Sequence, residues 1–215
     1  LQPYIKDRRQ QGIKTKSINL ALSVVRRILN LAARLWRDEN GLTWLDTPPL
    51  IQMLPVTDAR PPYPLSWEEQ RTLFRALPDH LARMALFKVN TGCREQEVCQ
   101  LKWDWEVKVP ELDTSVFIVP GERVKNREDR LVVLNRVAMS VVEQVRGIHP
   151  DHVFTYKGHA VGTINNSGWK TARKKVGLSQ VRVHDLKHTF GRRLRAANVP
   201  LETRKVLLGH RNGDI

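Results

Sequence analysis

Val183-His184-Asp185-Leu186-Lys187-His188-Thr189-Phe190 is the stretch on which the reading of this chain turns. It sets an imidazole, His184, three residues before an ammonium, Lys187, at what reads as a helix start, so both fall on one face. Downstream, Leu207-Leu208-Gly209-His210 offers a second imidazole at the end of a short apolar helix, with Gly209 as its C-cap. Upstream, Thr91-Gly92-Cys93-Arg94-Glu95-Gln96-Glu97-Val98 offers a guanidinium just after a glycine, at another helix start, where amides and the macrodipole favour an anion. Two imidazoles and two cations so distributed can converge on one phosphate. A phosphodiester resists attack because its charged oxygens repel the nucleophile and its leaving alkoxide is poor. Preorganised cations and a proton donor are what an enzyme without a metal must supply.

The composition agrees with a polyanionic partner. The 215 residues carry 36 Lys and Arg against 22 Asp and Glu, a net charge of +14, more than solubility requires. The excess is concentrated: between Lys170 and Arg211 there are twelve basic residues and two acids, Asp185 and Glu202. With 41% apolar residues the chain can bury a core. Cys93 and Cys99, six apart, make neither a disulfide framework nor a four-ligand zinc site, which points to a reducing interior. No apolar run reaches membrane-spanning length and the N-terminus has no signal-peptide pattern, so a soluble, intracellular protein is expected. Leu1 in place of an initiating Met suggests a portion of something longer.

Apolar residues at three- and four-residue spacing predict one amphipathic helix over Ser17 to Asn40, stopped by Asn40-Gly41, with Arg26, Arg27, Arg34 and Arg37 along its polar side. Half of the twelve prolines then fall at positions 48, 49, 55, 61, 62 and 64, which marks a linker. Ser66-Trp67-Glu68-Glu69 reads as a capping box that opens a second domain. Helices are expected over 79–90 and 95–101, then three strands of a small antiparallel sheet at 103–107, 115–119 and 130–134. Helices at 136–146, 163–176, 184–197 and 200–208 follow, with a short extended piece at 153–155.

The quoted motifs strongly resemble those of the tyrosine recombinases, the phage integrase family: T-G-x-R-x-x-E, then H-x-x-R-H, then L-G-H, then a nucleophilic tyrosine. The resemblance covers about Leu65 to Ile215 and implies a mostly α, α+β architecture. Residues 1–47 would be the C-terminal portion of a helical core-binding domain, 48–64 a Pro-rich linker, and 65–215 a mixed α/β catalytic domain lacking its C-terminal end. The implied reaction is metal-free site-specific recombination through a 3′-phosphotyrosyl link, with no cofactor. By position in the motifs, Arg94, His184, Lys187 and His210 are the catalytic residues, and Lys125, on the hairpin between the second and third strands, protonates the leaving 5′-oxygen. Glu97 is an orienting partner, and His188, one residue beyond Lys187, is expected to point to another face. Lys187 departs from the pattern, which has arginine there, and loses the planar fork that grips two phosphate oxygens. The chain's tyrosines, Tyr4, Tyr63 and Tyr156, all precede His210, so the nucleophile is expected a few residues past Ile215.

Arg26, Arg27, Lys170, Arg173, Lys174 and Arg182 are candidate DNA contacts, and Arg123, Arg127 and Arg130 are expected to track the backbone beside the hairpin. The resemblance implies double-stranded DNA as the partner, a homotetramer on two DNA sites for the full-length protein, and the cytoplasm of a bacterial host as its place. A type IB topoisomerase-like enzyme and a non-catalytic DNA-binding protein derived from a recombinase are the alternatives, and Lys187 is the feature that favours the binder. The target sequence is not legible, because base contacts and DNA shape need a complex.

Overall fold

The computed structural model describes residues 1–124 and 127–210. It divides into two compact units, Leu1–Pro61 and Pro62–Ile215.

In the first unit, α1 (Gln2–Gln10) and α2 (Thr15–Arg34) bury Ile5, Ile18 and Leu22 against Ile51 of the proline-rich stretch. That stretch has no regular structure but is tied to α2. Asn19 both donates to and accepts from the Leu54 backbone, at 2.8 and 2.9 Å, and the Asp58 carboxylate accepts from the Thr15 amide at 2.8 Å. The helix expected to reach Asn40 stops at Arg34. The Asp38 carboxylate takes the amides of Asn40 and Leu42, both at 2.9 Å, and Arg37 bridges to Thr43, turning the chain back so that Trp36 meets Trp44. Asp and Asn side chains that bind nearby amides compete with helix continuation. The apolar period at Leu35 and Trp36 thus serves a turn rather than another helical turn.

The second unit is built around α4 (Asp79–Thr91), which is buried on nearly every side, including Met84, Phe87, Lys88 and Thr91. Helix α3 (Trp67–Ala76) opens with the expected capping box, Ser66 accepting from the Glu69 amide while Glu69 accepts from that of Ser66. Helices α3, α5 (Glu95–Cys99), α6 (Arg136–Val145) and α8 (Asp185–Ala196) all pack on α4. The antiparallel sheet runs β1 (Glu106–Val109), β2 (Thr114–Val119), β3 (Arg130–Val133), with Val116 opposite both Val107 and Val133. Phe117, Val119 and Val132 face the core. Its first strand starts later than expected because Trp103–Trp105 forms a 3-10 turn held by the Trp103 indole on the His149 carbonyl, 3.0 Å. A two-stranded hairpin, β4 (Thr155–Tyr156) and β5 (His159–Ala160), precedes α7 (Ser167–Lys175). Helix α7 begins at Ser167 rather than 163, because Glu95 holds Thr163, Ile164 and Asn165 in a loop at 2.7 to 2.9 Å and Asn166 supplies the cap. Helix α9 (Leu201–Leu208) closes the described chain. Cys93 and Cys99 are free and buried, and burial pushes the Cys99 thiol up to about 12. Among the described residues no helix is long and apolar enough to cross a membrane.

Candidate active site

Gly92 ends α4 in the left-handed region, at φ 66°, where a β-carbon would lie 2.4 Å from the Phe190 ring of α8 and 3.3 Å from Leu208 of α9. The three quoted stretches meet at this one glycine. Just beyond it, fully buried Lys88 donates to the Cys93 carbonyl and braces the turn; burial lowers that ammonium to about 8. Arg94 caps α5. Its own amide, 2.7 Å from Glu97, is taken by that carboxylate rather than left for an anion, while its guanidinium donates to Glu97 at 2.8 Å and to the Gly209 carbonyl at 3.1 Å. Burial opposes ionisation of Glu97, but Arg130 and the Arg94 hydrogen bonds outweigh it and hold the carboxyl below its usual range.

The start of α8 is fixed by the residues between the functional ones. Buried Asp185 accepts from the Tyr63 and Arg182 amides, at 3.2 and 2.8 Å, and Thr189 accepts from the Leu65 amide at 2.9 Å while donating to the Asp185 carbonyl. His184 is thereby held at the mouth of an open cavity of about 780 Å³, together with Lys187, His188, Arg192, Arg195 and His210. His188 therefore does not point elsewhere; its ring meets that of His184 edge-on at 4.7 Å. His188 lies one helical turn beyond His184 and so shares its face, and the same spacing extends to Arg192 and Arg195. Burial, then the cations around it, lowers His184 to about 4, so near neutral pH it is an uncharged imidazole with one N–H to give.

Helix α9 ends in a Schellman turn: Gly209, at φ 59°, donates to the Val206 carbonyl and His210 to that of Lys205, both at 3.0 Å. Around this end stand three cations. Arg130 donates to the Leu207 carbonyl at 3.0 Å, Lys187 to that of Leu208, and Arg94 to that of Gly209. The negative pole of a helix terminus suits them. Arg94, Lys187 and His210 are thus drawn to one place from three parts of the chain.

Lys187 is buried, and burial, with Arg130 and Arg94 adding to it, lowers its ammonium to about 7. Because the folded value lies below that of an ordinary lysine, the unfolded chain binds more protons between the two, and this group's contribution to stability rises with pH through that window. A phosphate beside it would restore the charge, so phosphate binding above about pH 7 should take up a proton. If strand cleavage depends on Lys187, its rate at subsaturating DNA, which reports the free protein's groups, is therefore expected to fall as pH rises above about 7, whereas a Lys187→Arg variant should be flat there. The variant should also be faster by about a hundredfold, the worth of one further preorganised donor; a pH–rate profile of both proteins checks each point.

Arg130, expected to track DNA, is buried and ion-paired with Glu97 at 3.0 Å, and cannot do so. Its alternation with Val132 and Leu134, both core residues, was the signal for this. Arg26, Arg27, Arg123, Arg127, Lys170, Lys174 and Arg182 are exposed, while Arg173 is half-buried and donates to the Val181 carbonyl at 2.6 Å. Lys125 lies outside the described residues. One group of side chains with metal-ligand character occurs among the described residues, His149, Asp151 and His152. His149 Nδ1 already accepts from the backbone amides of the other two there, at 3.0 and 3.1 Å, and so caps a turn.

The profile of the phage integrase family matches residues 65–215, and the chain belongs to that family. It is 26% identical to the integrase of Salmonella phage P22 over 93% of its own length and 52% of that protein, so it spans about half of this relative. Among solved structures it resembles the XerH site-specific recombinase bound to its difH substrate, with TM-score 0.72, 18% identity, and 94% of this chain on 60% of that one. It likewise resembles a lambda integrase dimer bound to a core site, with TM-score 0.66, 17% identity, and 97% on 76%. At these identities the structural likeness establishes the fold: α+β, mostly helical, with a small antiparallel sheet.

Proposed function

We propose that the full-length protein is a site-specific DNA recombinase that integrates or excises a phage or mobile element in the cytoplasm of a bacterial host. The observation that carries this reading is the convergence of Arg94, Lys187, His184 and His210 at the end of α9 and the adjoining cavity. Arg94 and Lys187 would exchange their carbonyl partners for the oxygens of the scissile phosphate and neutralise charge as the transition state forms. His184, as a neutral imidazole, would donate its N–H to the same oxygens, and His210 would be a second donor. Lys125 is assigned the proton for the leaving 5′-oxygen. Neither Tyr63 nor Tyr156 lines the cavity, and Tyr63 donates its hydroxyl to Glu69 at 2.6 Å, so the attack is assigned to neither of them. Exposed Lys170, Lys174 and Arg182, with Arg26, Arg27, Arg123 and Arg127, would hold the duplex backbone in a tetramer on two DNA sites. The related recombinases captured on DNA support this partner.

The test is strand exchange between two labelled duplexes carrying the element's junction. Recombinant products are expected; relaxation of a supercoil without exchange would indicate a topoisomerase instead, and binding without cleavage a DNA-binding protein. Because binding rests on phosphates, affinity should fall by about two orders of magnitude or more between roughly 50 and 200 mM salt. A salt titration of duplex affinity checks this, and a flat response would contradict it.

A further inference from the structure

Arg130 opens β3 on the face that continues with Val132 and Leu134 into the core, and its side chain is 2% exposed. A guanidinium so buried is tolerated only where its partners are specific. Its Nε faces Glu97 at 3.0 Å, and its Nη2 donates to the Leu207 carbonyl at 3.0 Å. Its Nη1, buried and without a hydrogen-bond partner among the described residues, lies where a β-carbon on residue 209 would come within 2.0 Å of it. One rigid plane therefore presents three atoms to Glu97, to the last turn of α9 and to the backbone of Gly209. Arg94 reaches the same carboxylate and the same glycine, but its side chain is 24% exposed and open to a ligand. Arg130 is not. A cavity of about 200 Å³ beside it is walled by Val124, Glu128, Gly209 and His210.

We infer that Arg130 is a positioning residue: it locks Gly209, and through it His210, to the Glu97–Arg94 pair without touching the phosphate. The arrangement also gives a physical reason for the glycine of Leu-Gly-His, since any side chain there meets the guanidinium. Lysine does not reproduce it, because its single nitrogen lacks the planar fork whose separate atoms reach Glu97, the Leu207 carbonyl and Gly209. The catalytic consequence rests on the recombinase reading; the lock itself does not.

Two measurements on the full-length protein separate these. In Arg130→Met the amides of Gly209 and His210 should lose hydrogen-exchange protection by about tenfold or more while those of α4 and α6 keep theirs, a local opening. Single-turnover cleavage at saturating DNA should fall about a hundredfold, the scale expected when a catalytic group moves by about 1 Å, with little change in DNA affinity. Because Arg130 acts through His210, the His210→Ala change should lose most of its effect in the Arg130→Met background. Should Arg130→Met fail to fold, Arg130→Lys, which keeps a charge beside Glu97, is measured in its place with the same expectations. Unchanged exchange at the end of α9, or full additivity with His210→Ala, would overturn the inference. If the unaltered protein cleaves no DNA, the recombinase reading fails and the exchange result still decides the lock.

Discussion

Replacing Arg94 by alanine in the full-length protein is expected to lower single-turnover cleavage at saturating DNA by about a thousandfold, the upper range for losing one preorganised donor at a developing charge. The figure is high because the guanidinium serves two ends at once: it is the most accessible of the three cations around α9, and it pairs with Glu97. Without it Glu97 keeps Arg130 and the backbone amide of residue 94 but loses its second guanidinium, and the Gly209 carbonyl loses this donor. Duplex affinity should change only a few-fold, since one phosphate contact among many is removed. A loss of cleavage below about tenfold would make Arg94 a structural partner of Glu97 and nothing more.

The second large effect is on stability. Gly92→Ala places a β-carbon 2.4 Å from the ring of Phe190 in a backbone region, φ 66°, that side chains disfavour. Phe190 cannot retreat freely, because the same α8 is held by Asp185 and Thr189 against the chain at Tyr63 and Leu65. Overpacking and the wrong φ together should destabilise the protein by about 2–4 kcal/mol, read as a lower midpoint in denaturant with an unchanged slope. Surviving folded protein should cleave poorly, because Gly92 sets both the entry to Arg94 and the approach of α8 and α9. A glycine-like stability for the alanine variant would show that the junction is looser than this packing implies.

The motifs were legible because each lies within one local element, where spacing alone puts His184 and Lys187 on a common face. The helices of the second unit are legible for the same reason, and β1 to β3 from their β-branched and aromatic residues between Pro110, Pro120 and Gly121, whereas the two-residue strands β4 and β5 are too short to carry such a signal. Helix α1 was missed because Gln2–Gln10 contributes a single buried residue, Ile5, and so has no apolar period to read. The overrun of α2 came from Trp36, whose partner Trp44 lies across a turn that Asp38 sets. The ring of cations was beyond reach for a different reason. It joins Arg94 to Gly209 and Arg130 to Leu207, pairs separated by 115 and 77 positions, and long-range approach leaves no mark on local pattern. Arg130 is the exception: its phase with Val132 and Leu134 marks a buried guanidinium rather than a DNA contact.

The most direct test of the account is to incubate the full-length protein with a nicked suicide duplex and map any covalent adduct by mass spectrometry. The account predicts a 3′-phosphate ester on a tyrosine that follows His210, a free 5′-hydroxyl on the released strand, and loss of the adduct in Arg94→Ala. An adduct on another residue, or one that forms equally well without Arg94 and His210, would contradict it.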